Sequence, residues 1–424
     1  MRSTFYIAAA ALVVLASACA PIAATPPQAV VAAPAEARAP ITILISIDGF
    51  RPDYLDRGVT PNLSRLAAAG ATGPMRPSFP SKTFPNHWTL VTGLRPDRNG
   101  ITANKMEDKA RPGEVFTMAT DDPFWWNEAM PIWVDAEKAG IRTGTMFWPG
   151  SNVAAGGQKA TSWPYDITGG TRPSDWAQFN QAIDGQQRVL GVLDWARRPA
   201  SIRPRLITTY FDAVDTAGHR WGPDGQGTIE AVAQVDRWIG LLVDGLASMG
   251  QPANIVITAD HGMAATSSAR TVVLNAILAP GSYRVVESGP YATIEPAAGQ
   301  EARVEKALLG RRPHMECWRK SEIPERFHYG ANPRIPPILC LAETGWSIAE
   351  KPPSESVSGG NHGYDNFAPD MTALFIANGP AFRAAKLPAF DNVDVYPLLR
   401  ILIGLPPVEG KDGSSAVFGD ALAR

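Results

Sequence analysis

Residues 41–49 read ITILISIDG, and this stretch decides the fold of the 424-residue chain. The run from Ile41 to Ile47 is largely apolar and β-branched, and it ends at Asp48 and Gly49. An almost continuous apolar run of this length predicts a central strand that is buried on both faces. Strands of this kind are typical of parallel sheets with helices on both faces, so we predict an α/β fold.

Three further runs resemble this strand, and helical patterns separate them. The strand-like runs are Leu206–Phe211, 254–258 and 372–377, which precede Asp212, Asp260 and an Asn-Gly pair, respectively. A long amphipathic helix is predicted over 229–248 and is closed by Gly250. Another is predicted to begin at Pro61, with Thr60 as its N-cap. The alternation predicts a mostly parallel sheet, in which ligands bind outside the carboxyl ends of the strands.

The composition fits one large domain with insertions. Apolar residues make up 45% of the chain and charged residues 19%, which is enough for a large buried core. We assign residues 41–406 to this domain, with insertions near 149–185 and 280–350, and residues 407–424 to a C-terminal tail. The 39 basic and 41 acidic residues leave a formal charge of -2. The chain therefore lacks the excess of basic residues that would favour binding to a nucleic-acid polymer.

The N-terminal residues predict export. Residues 1–19 combine Arg2, a short apolar stretch and small residues, which is typical of a secretory signal and too short for a spanning helix. Residues 15–19, LASAC, resemble a bacterial lipobox. Either Cys19 carries lipid and anchors the protein to a membrane, or ordinary signal cleavage releases the chain. Residues 20–40, rich in Pro and Ala, then form a linker, and we expect a periplasmic protein or an outer-membrane-anchored lipoprotein.

Cys317 and Cys340 are the two cysteines outside the N-terminal segment. In an oxidising compartment such a pair favours one disulfide, and two buried free thiols are the alternative. Neither cysteine has a ligand-like spacing to a histidine, so a thiolate metal site is not expected.

Carboxylates and imidazoles recur in glycine-flanked settings close to the predicted strands. Alone, each Asp–His pair is more often an ordinary surface or capping interaction. Together they offer oxygen and nitrogen ligands for two metal ions, and this mixture suits zinc in catalytic sites. The residues are Asp48, Asp215, His219, Asp260, His261 and His362.

Thr83 is the candidate nucleophile. An apolar, helix-like stretch from Trp88 to Val91 follows it closely, so Thr83 is predicted to lie where a helix begins. Free backbone N–H groups and the positive end of the helix dipole favour an alkoxide there, and a bound dication favours it further. On this segment alone, the simpler interpretation is that Thr83 or Ser81 caps the helix.

A series of motifs follows in order along the chain. They are IDGFR at 47–51, KTFPN at 82–86, NGI at 99–101 with Asn104, FWPGS at 147–151, DTAGH at 215–219, DHGM at 260–263 and HGYDN at 362–366. In this order they resemble the nucleotide pyrophosphatase/phosphodiesterase branch of the alkaline phosphatase superfamily. The resemblance runs from Ile41 to about Pro406 and implies an alkaline-phosphatase-like core, with helices on both faces of a mostly parallel sheet and an inserted subdomain.

The resemblance also implies the roles of individual residues. It implies two zinc ions per subunit, one held by Asp48, Thr83, Asp260 and His261, and the other held by Asp215, His219 and His362. Asn104 is expected to donate to a phosphate oxygen, Phe84 to stack on a nucleobase, and Phe179 to form a second aromatic wall. The insertion before Phe179 is longer than in relatives, which leaves Tyr165 and Trp176 as competitors for that wall.

By this resemblance the chain is expected to cleave phosphodiester or pyrophosphate bonds of nucleotides and related esters through a covalent phospho-threonine at Thr83. The alternatives are a phosphomonoesterase, for which Lys82 is the nearest extra cation, and a phospholipid-type phosphodiesterase. A surface lipoprotein that only binds ligand would be expected to lack a metal ligand or the nucleophile, and every expected position is present. We expect a monomer that acts on a small molecule.

Overall fold

The computed structural model describes residues 38–423, so the predicted signal segment and Cys19 lie outside the described residues. Within the described part, no helix is long and apolar enough to cross a membrane. The α-helices are α1 (Pro61–Ala69), α2 (Thr83–Thr92), α3 (Pro96–Asn99), α4 (Pro123–Trp126), α5 (Ile132–Lys138), α6 (Gly185–Arg197), α7 (Ala213–Trp221), α8 (Gln226–Ser248), α9 (Glu301–Leu308) and α10 (Val395–Ile403).

The strands range from two to seven residues in length. The first are β1 (Ile41–Ile47), β2 (Ala71–Thr72), β3 (Met75–Arg76), β4 (Met106–Glu107), β5 (Val115–Phe116), β6 (Thr143–Met146), β7 (Ala155–Lys159), β8 (Ile167–Thr171), β9 (Asp175–Ala177), β10 (Leu206–Phe211) and β11 (Ala253–Thr258). The others are β12 (Ala264–Ser267), β13 (Thr271–Val273), β14 (Tyr283–Glu287), β15 (Tyr291–Pro296), β16 (Gly310–Arg312), β17 (Met315–Arg319), β18 (Ile338–Ala342), β19 (Ser347–Ala349), β20 (Ser358–Asn361), β21 (Phe375–Asn378), β22 (Ala385–Lys386) and β23 (Phe390–Asp391).

The central sheet has eight strands in the order β22-β2-β21-β11-β1-β10-β6-β9. Strand β1 has the predicted bounds, all its residues are buried, and it lies between the parallel strands β10 and β11. Ile43 pairs with Ile207 on one side and with Ile255 on the other. The predicted long helix is α8, which begins at Gln226 and ends at Ser248. The predicted α/β fold is therefore confirmed.

The predicted strand over 372–377 begins later than expected. Pro369–Met371 form a 3-10 turn and Ala373 makes only an isolated bridge to Met75, so the strand itself is β21, which starts at Phe375. Strand β21 is antiparallel to both of its neighbours, β11 and β2. The sheet is therefore mixed, with β21 as the reversed strand among parallel ones.

Helix α1 begins at Pro61 with Thr60 at the N-cap position, as predicted, but the side chain of Thr60 makes no cap hydrogen bond. The hydroxyl of Thr60 donates to the carbonyl oxygen of Leu55 at 3.3 Å and makes no cap bond. Instead, the backbone N–H groups of Asn62 and Leu63 donate to the two carboxylate oxygens of Asp236 at 3.2 and 2.8 Å. Asp236 belongs to α8, so a carboxylate from another helix satisfies these donors and the positive helix end.

Residues 280–350 contain a second sheet, in the order β14-β15-β18-β17-β16, with its own hydrophobic cluster. Cys317 in β17 and Cys340 in β18 are register partners and form the predicted disulfide. Residues 149–185 include the hairpin β7–β8 and also β9, which pairs with β6 at the edge of the central sheet. Near the C-terminus, Phe418 is buried in the main core.

We predict that Asp236→Ala lowers the free energy of unfolding by about 2–4 kcal/mol, because two N–H groups of α1 lose a charged acceptor. Asp236 is 1% exposed, so water does not replace the carboxylate without rearrangement. Chemical denaturation measures the loss. The matched control is Asp244→Ala, an exposed aspartate of the same helix, for which the change should stay within about 0.5 kcal/mol. Equal losses in both variants would contradict the capping role.

Candidate functional site

Three carboxylates meet at the carboxyl edge of the central strands. Asp48 directly follows β1, Asp260 follows β11, and Asp215 lies in the first turn of α7, which comes after β10. Because these three strands are adjacent and parallel, their ends bring the carboxylates together. Gly49 has a φ of 68°, and a Cβ at this position would lie 3.2 Å from the Cα of Asp215. A glycine beside Asp48 therefore permits the close approach of Asp215.

The first candidate ligand group consists of Asp48, Asp260 and His261, which are all buried. The Nε2 atom of His261 lies 3.0 Å from a carboxylate oxygen of Asp260 and 3.3 Å from one of Asp48. The hydroxyl oxygen of Thr83 lies 3.5 Å from the same nitrogen. The four residues predicted to hold one zinc ion thus lie around a single point.

The second candidate group consists of Asp215, His219 and His362. The Oδ1 atom of Asp215 lies 3.4 Å from Nε2 of His219 and 3.6 Å from Nε2 of His362. His261 lies between the two groups, because its ring stacks on that of His362 with 3.5 Å between the centroids. The structure therefore brings all the predicted metal ligands into two adjoining clusters.

Main-chain carbonyl groups orient all three imidazoles. The Nδ1 atoms of His219, His261 and His362 each lie 2.9 Å from a carbonyl oxygen, that of Gly360, Gly262 and Ser81, respectively. A carbonyl oxygen only accepts hydrogen bonds, so each Nδ1 carries the proton and donates it. The Nε2 atom is left with its lone pair, which is the arrangement that prepares a histidine to bind a metal.

The carboxylates fit a bound cation. Asp48, Asp215 and Asp260 each have one buried oxygen atom without a hydrogen-bond partner in residues 38–423. These are the oxygen atoms that face the imidazoles. Burial, together with neighbouring carboxylates, raises the pKa of Asp48 and of Asp260 above the usual range. Buried carboxylate oxygens without partners are costly unless a cation satisfies them, so the donor set suits divalent metal ions.

Tyr210 is a functional neighbour that the sequence analysis missed. Its hydroxyl donates to Oδ2 of Asp48 at 2.7 Å, and both side chains are buried. Tyr210 lies in β10 next to β1, and it pairs in register with Ser46, two residues before Asp48. The signal in the sequence was a tyrosine close to the end of a predicted central strand, but its partner became visible only with the strand order.

Thr83 begins α2, as predicted, and a buried asparagine fixes the loop before it. The side-chain nitrogen of Asn86 donates to the carbonyl oxygens of Pro80 and Lys82 at 3.0 and 2.9 Å. Its side-chain oxygen accepts the backbone N–H of Ser78 at 2.7 Å. Asn86 therefore holds the backbone immediately before the candidate nucleophile.

Lys82 is buried and its side chain lies against the HGYDN loop. A Cβ at Gly363, where φ is 113°, would lie 2.8 Å from Cε of Lys82, so glycine is required for this contact. Its ammonium group lies 5.9 Å from the ring centroid of Tyr291 in the second sheet. Burial lowers the pKa of Lys82, and the carboxylates of Glu287 and Asp215 oppose that shift. The charge of Lys82 therefore lies between Glu287 of the second sheet and Asp215, a predicted metal ligand.

The structure also places Asn104 and Phe84 beside Thr83. The side-chain oxygen of Asn104 accepts the backbone N–H of Phe84 at 2.9 Å, which leaves the amide NH₂ of Asn104 as a donor. Phe84 is only 1% exposed, and its ring meets Phe179 edge to face with 5.1 Å between the centroids. A flat group needs about 3.5 Å on each side, so one ring must move before both can stack on it.

The competing aromatic residues have different surroundings. Tyr165 and Trp176 are 53% and 44% exposed, respectively. Phe179 contacts Phe84 and also Tyr210, the residue that donates to Asp48. Phe179 is thus the aromatic side chain of the three that lies against the candidate site, and its role in substrate binding stays a prediction.

Comparison with known proteins finds similar sequences over most of the chain. The sequence model of the type I phosphodiesterase / nucleotide pyrophosphatase family matches residues 42–365. The bis(5'-adenosyl)-triphosphatase enpp4 of Xenopus laevis is 39% identical over 378 residues, which cover 88% of this chain and 79% of that protein. Ectonucleotide pyrophosphatase/phosphodiesterase family member 1 of Mus musculus is 36% identical over 90% of this chain, but the match spans only 43% of that longer protein.

Solved structures show the same fold. Murine ectonucleotide pyrophosphatase / phosphodiesterase 5, determined as an inactive threonine-to-alanine variant in complex with AMP, superposes with a TM-score of 0.83 at 33% identity. The match covers 91% of this chain and 100% of that one. The human protein of the same name gives the same TM-score and identity. The observed core is therefore the alkaline-phosphatase-like one that the motifs implied.

We predict that Tyr210→Phe weakens zinc binding by about 10–100-fold, because Asp48 loses the hydrogen bond that orients it. Competition with a zinc-binding dye measures the affinity. The matched control is Tyr54→Phe, since the hydroxyl of Tyr54 is also buried but has no hydrogen-bond partner in residues 38–423. Zinc affinity should be unchanged in the control, and equal losses in both variants would contradict the role of Tyr210.

Proposed function

The chain belongs to the type I phosphodiesterase / nucleotide pyrophosphatase family, and on this basis we propose that it is a two-zinc hydrolase of phosphodiester and pyrophosphate bonds in nucleotides and related esters. Members of this family are nucleotide pyrophosphatases and phosphodiesterases. The observation that carries the proposal is the cluster of three unpartnered carboxylate oxygens and three oriented imidazoles next to Thr83.

The first proposed step belongs to Thr83. Its hydroxyl releases its proton to water, the oxygen attacks phosphorus, and a bond from that oxygen to phosphorus forms. The bond from phosphorus to the leaving oxygen breaks, and the leaving group departs with the electron pair. Water then cleaves the phospho-threonine, which restores the hydroxyl. The helix α2 begins at Thr83, so its positive end favours charge on the attacking oxygen. An inactive threonine-to-alanine variant of the murine relative is consistent with a threonine in this role.

Zinc would be held by the residues already described. One ion would bind Asp48, Thr83, Asp260 and His261, and the other would bind Asp215, His219 and His362. When bound, two such ions would lower the pKa of the attacking hydroxyl and stabilise charge on the leaving oxygen. The carbonyl groups behind the imidazoles and the hydroxyl of Tyr210 keep these ligands in place.

Neighbouring residues supply substrate binding. The free NH₂ of Asn104 is available to a phosphate oxygen beside Thr83. Phe84 and Phe179 form an aromatic surface that favours a diester or anhydride with a flat group, such as a nucleotide. Lys82 is the extra cation that a phosphomonoesterase would use, yet its side chain packs against Gly363 and its charge faces Glu287 and Asp215. We therefore favour diesters and anhydrides over monoesters.

We also propose export of the protein. Its curated relatives are ectonucleotide enzymes, and the disulfide between Cys317 and Cys340 suits an oxidising compartment. Lipid attachment at Cys19 and a monomeric state remain predictions, to be tested by mass spectrometry of the N-terminus and by sedimentation.

Thr83→Ala should lower turnover about a thousandfold or more, because the covalent step loses its attacking oxygen. Zinc content should stay largely intact, because three carboxylate or imidazole side chains remain in each cluster. Hydrolysis of a nitrophenyl ester of a nucleotide and metal analysis of the same sample measure the two effects. The matched control is Ser81→Ala, whose hydroxyl donates to the carbonyl of Tyr364 and should not react. If the Thr83→Ala variant retains most of the turnover of the unmodified protein, the assignment of Thr83 as the nucleophile is wrong.

A second test compares ester classes on the unmodified protein with zinc. The nitrophenyl ester of a nucleotide should be cleaved faster than nitrophenyl phosphate, because the site offers an aromatic surface and its nearest extra cation, Lys82, is buried between Glu287 and Asp215. The ratio of the two kcat/KM values measures the preference. A ratio in favour of nitrophenyl phosphate would support the phosphomonoesterase alternative. If both activities persist after a chelator is added, the proposed use of metal is contradicted.

A further inference from the structure

A groove of about 620 Å³ opens beside His219. Its walls come from the end of α7, the two-stranded ribbon β12–β20, and the residues around β19. We call it the His219 groove. The side chain of His219 is 40% exposed, so this predicted metal ligand reaches both the candidate site and the groove. The volume falls within the usual range for small-molecule sites.

The lining of the His219 groove favours anions. Five serines and two threonines line it, together with the cations Arg220 and Lys351, and no carboxylate is among its described lining residues. Both cations are exposed, and neither has an ion-pair partner in residues 38–423. The guanidinium of Arg220 lies 4.7 Å from the ring centroid of Trp221, which limits where it points. Hydroxyl donors and unpaired cations without acids are suited to phosphate groups.

A second large groove has a different charge composition from the His219 groove. That groove, of about 770 Å³, is lined by six cations and five carboxylates, and pairs such as Arg284–Glu107 neutralise it. Its charges nearly cancel, so it attracts a highly charged anion less strongly than a groove with cations and no carboxylates. Of these two grooves, the His219 groove alone combines positive charge with contact to a predicted zinc ligand.

The position of the groove matches the leaving side of the reaction. The imidazoles form a row from His261, beside Thr83, through His362 to His219, with 3.5 and 5.0 Å between successive ring centroids. Thr83 lies at one end of this row and the groove at the other. In-line attack expels the leaving group on the side of phosphorus opposite to the nucleophile.

We propose that the His219 groove is a subsite for the anionic phosphate chain of the leaving group, with Arg220 and Lys351 as its specificity-determining cations. This proposal rests on the proposed function. The bond that breaks is the one between the attacked phosphorus and the bridging oxygen, and the chain beyond that oxygen leaves as the product. Pyrophosphate from a nucleoside triphosphate is such a leaving group, whereas nitrophenolate carries no phosphate chain.

The test compares two substrates on a double variant, Arg220→Gln with Lys351→Gln. For ATP, kcat/KM should fall about tenfold or more, because two charged contacts to the leaving phosphates are lost. For the nitrophenyl ester of a nucleotide, kcat/KM should change less than about twofold. The matched control removes the same charge elsewhere, with Arg303→Gln and Lys386→Gln, two exposed cations that do not line the groove. In the control, kcat/KM for both substrates should equal that of the unmodified protein.

Binding provides a readout that does not need turnover. The Kd of inorganic pyrophosphate for the zinc-loaded protein, measured by calorimetry, should rise about tenfold in the double variant and stay unchanged in the control. Equal losses on both substrates, or an unchanged Kd, would overturn the subsite. If the unmodified protein cleaves neither substrate, the proposed function fails, and the pyrophosphate Kd still decides whether the groove binds phosphate chains.

Discussion

Mutual repulsion among Asp48, Asp215 and Asp260 is the constraint on which the rest of the site depends. Three adjacent parallel strands end at one edge, and their ends place these carboxylates together with little water around them. Like charges in such a setting are unfavourable unless cations separate them. The imidazoles and the start of α2 lie next to this negative centre, so their arrangement is governed by the need to offset its charge.

The second sheet contributes to the same centre from the other side. Lys82 directly precedes the candidate nucleophile. Its ammonium group lies near the ring of Tyr291 in β15 and interacts electrostatically with Glu287 in β14. Asn86 fixes the backbone between these two parts. The position of Thr83 therefore depends on contacts with both sheets, and the region 280–350 is part of the support of the site as well as an inserted piece of chain.

The predictions from sequence succeeded where the signal is local and failed where the partner is distant. The bounds of β1 follow from its apolar run, and the ordered motifs identified carboxylates and imidazoles that the structure places close together. Thr60 was expected to cap α1 from the local sequence, but the carboxylate of Asp236, from another helix, accepts the hydrogen bonds at the start of α1. Tyr210 was missed because its partner, Asp48, lies on a neighbouring strand. The edge-to-face contact between Phe84 and Phe179 depends on tertiary packing, and no sequence motif predicts it.

The carbonyl groups behind the three histidines have an evolutionary consequence. Every residue type has a main-chain carbonyl, so substitutions at the residues that supply these acceptors leave the hydrogen bond chemically available, provided that the backbone path is kept. Space sets a separate limit at two of these residues, since a Cβ at Gly262 or Gly360 would lie 2.1 or 2.6 Å from the carbonyl oxygen of Asp370 or Gly218, respectively. The orientation of Asp48 has no such protection, since it depends on one phenolic hydroxyl. Over long divergence, the hydrogen bonds behind the histidines should conserve the path of the backbone, whereas position 210 should conserve a side chain that donates a hydrogen bond to Asp48.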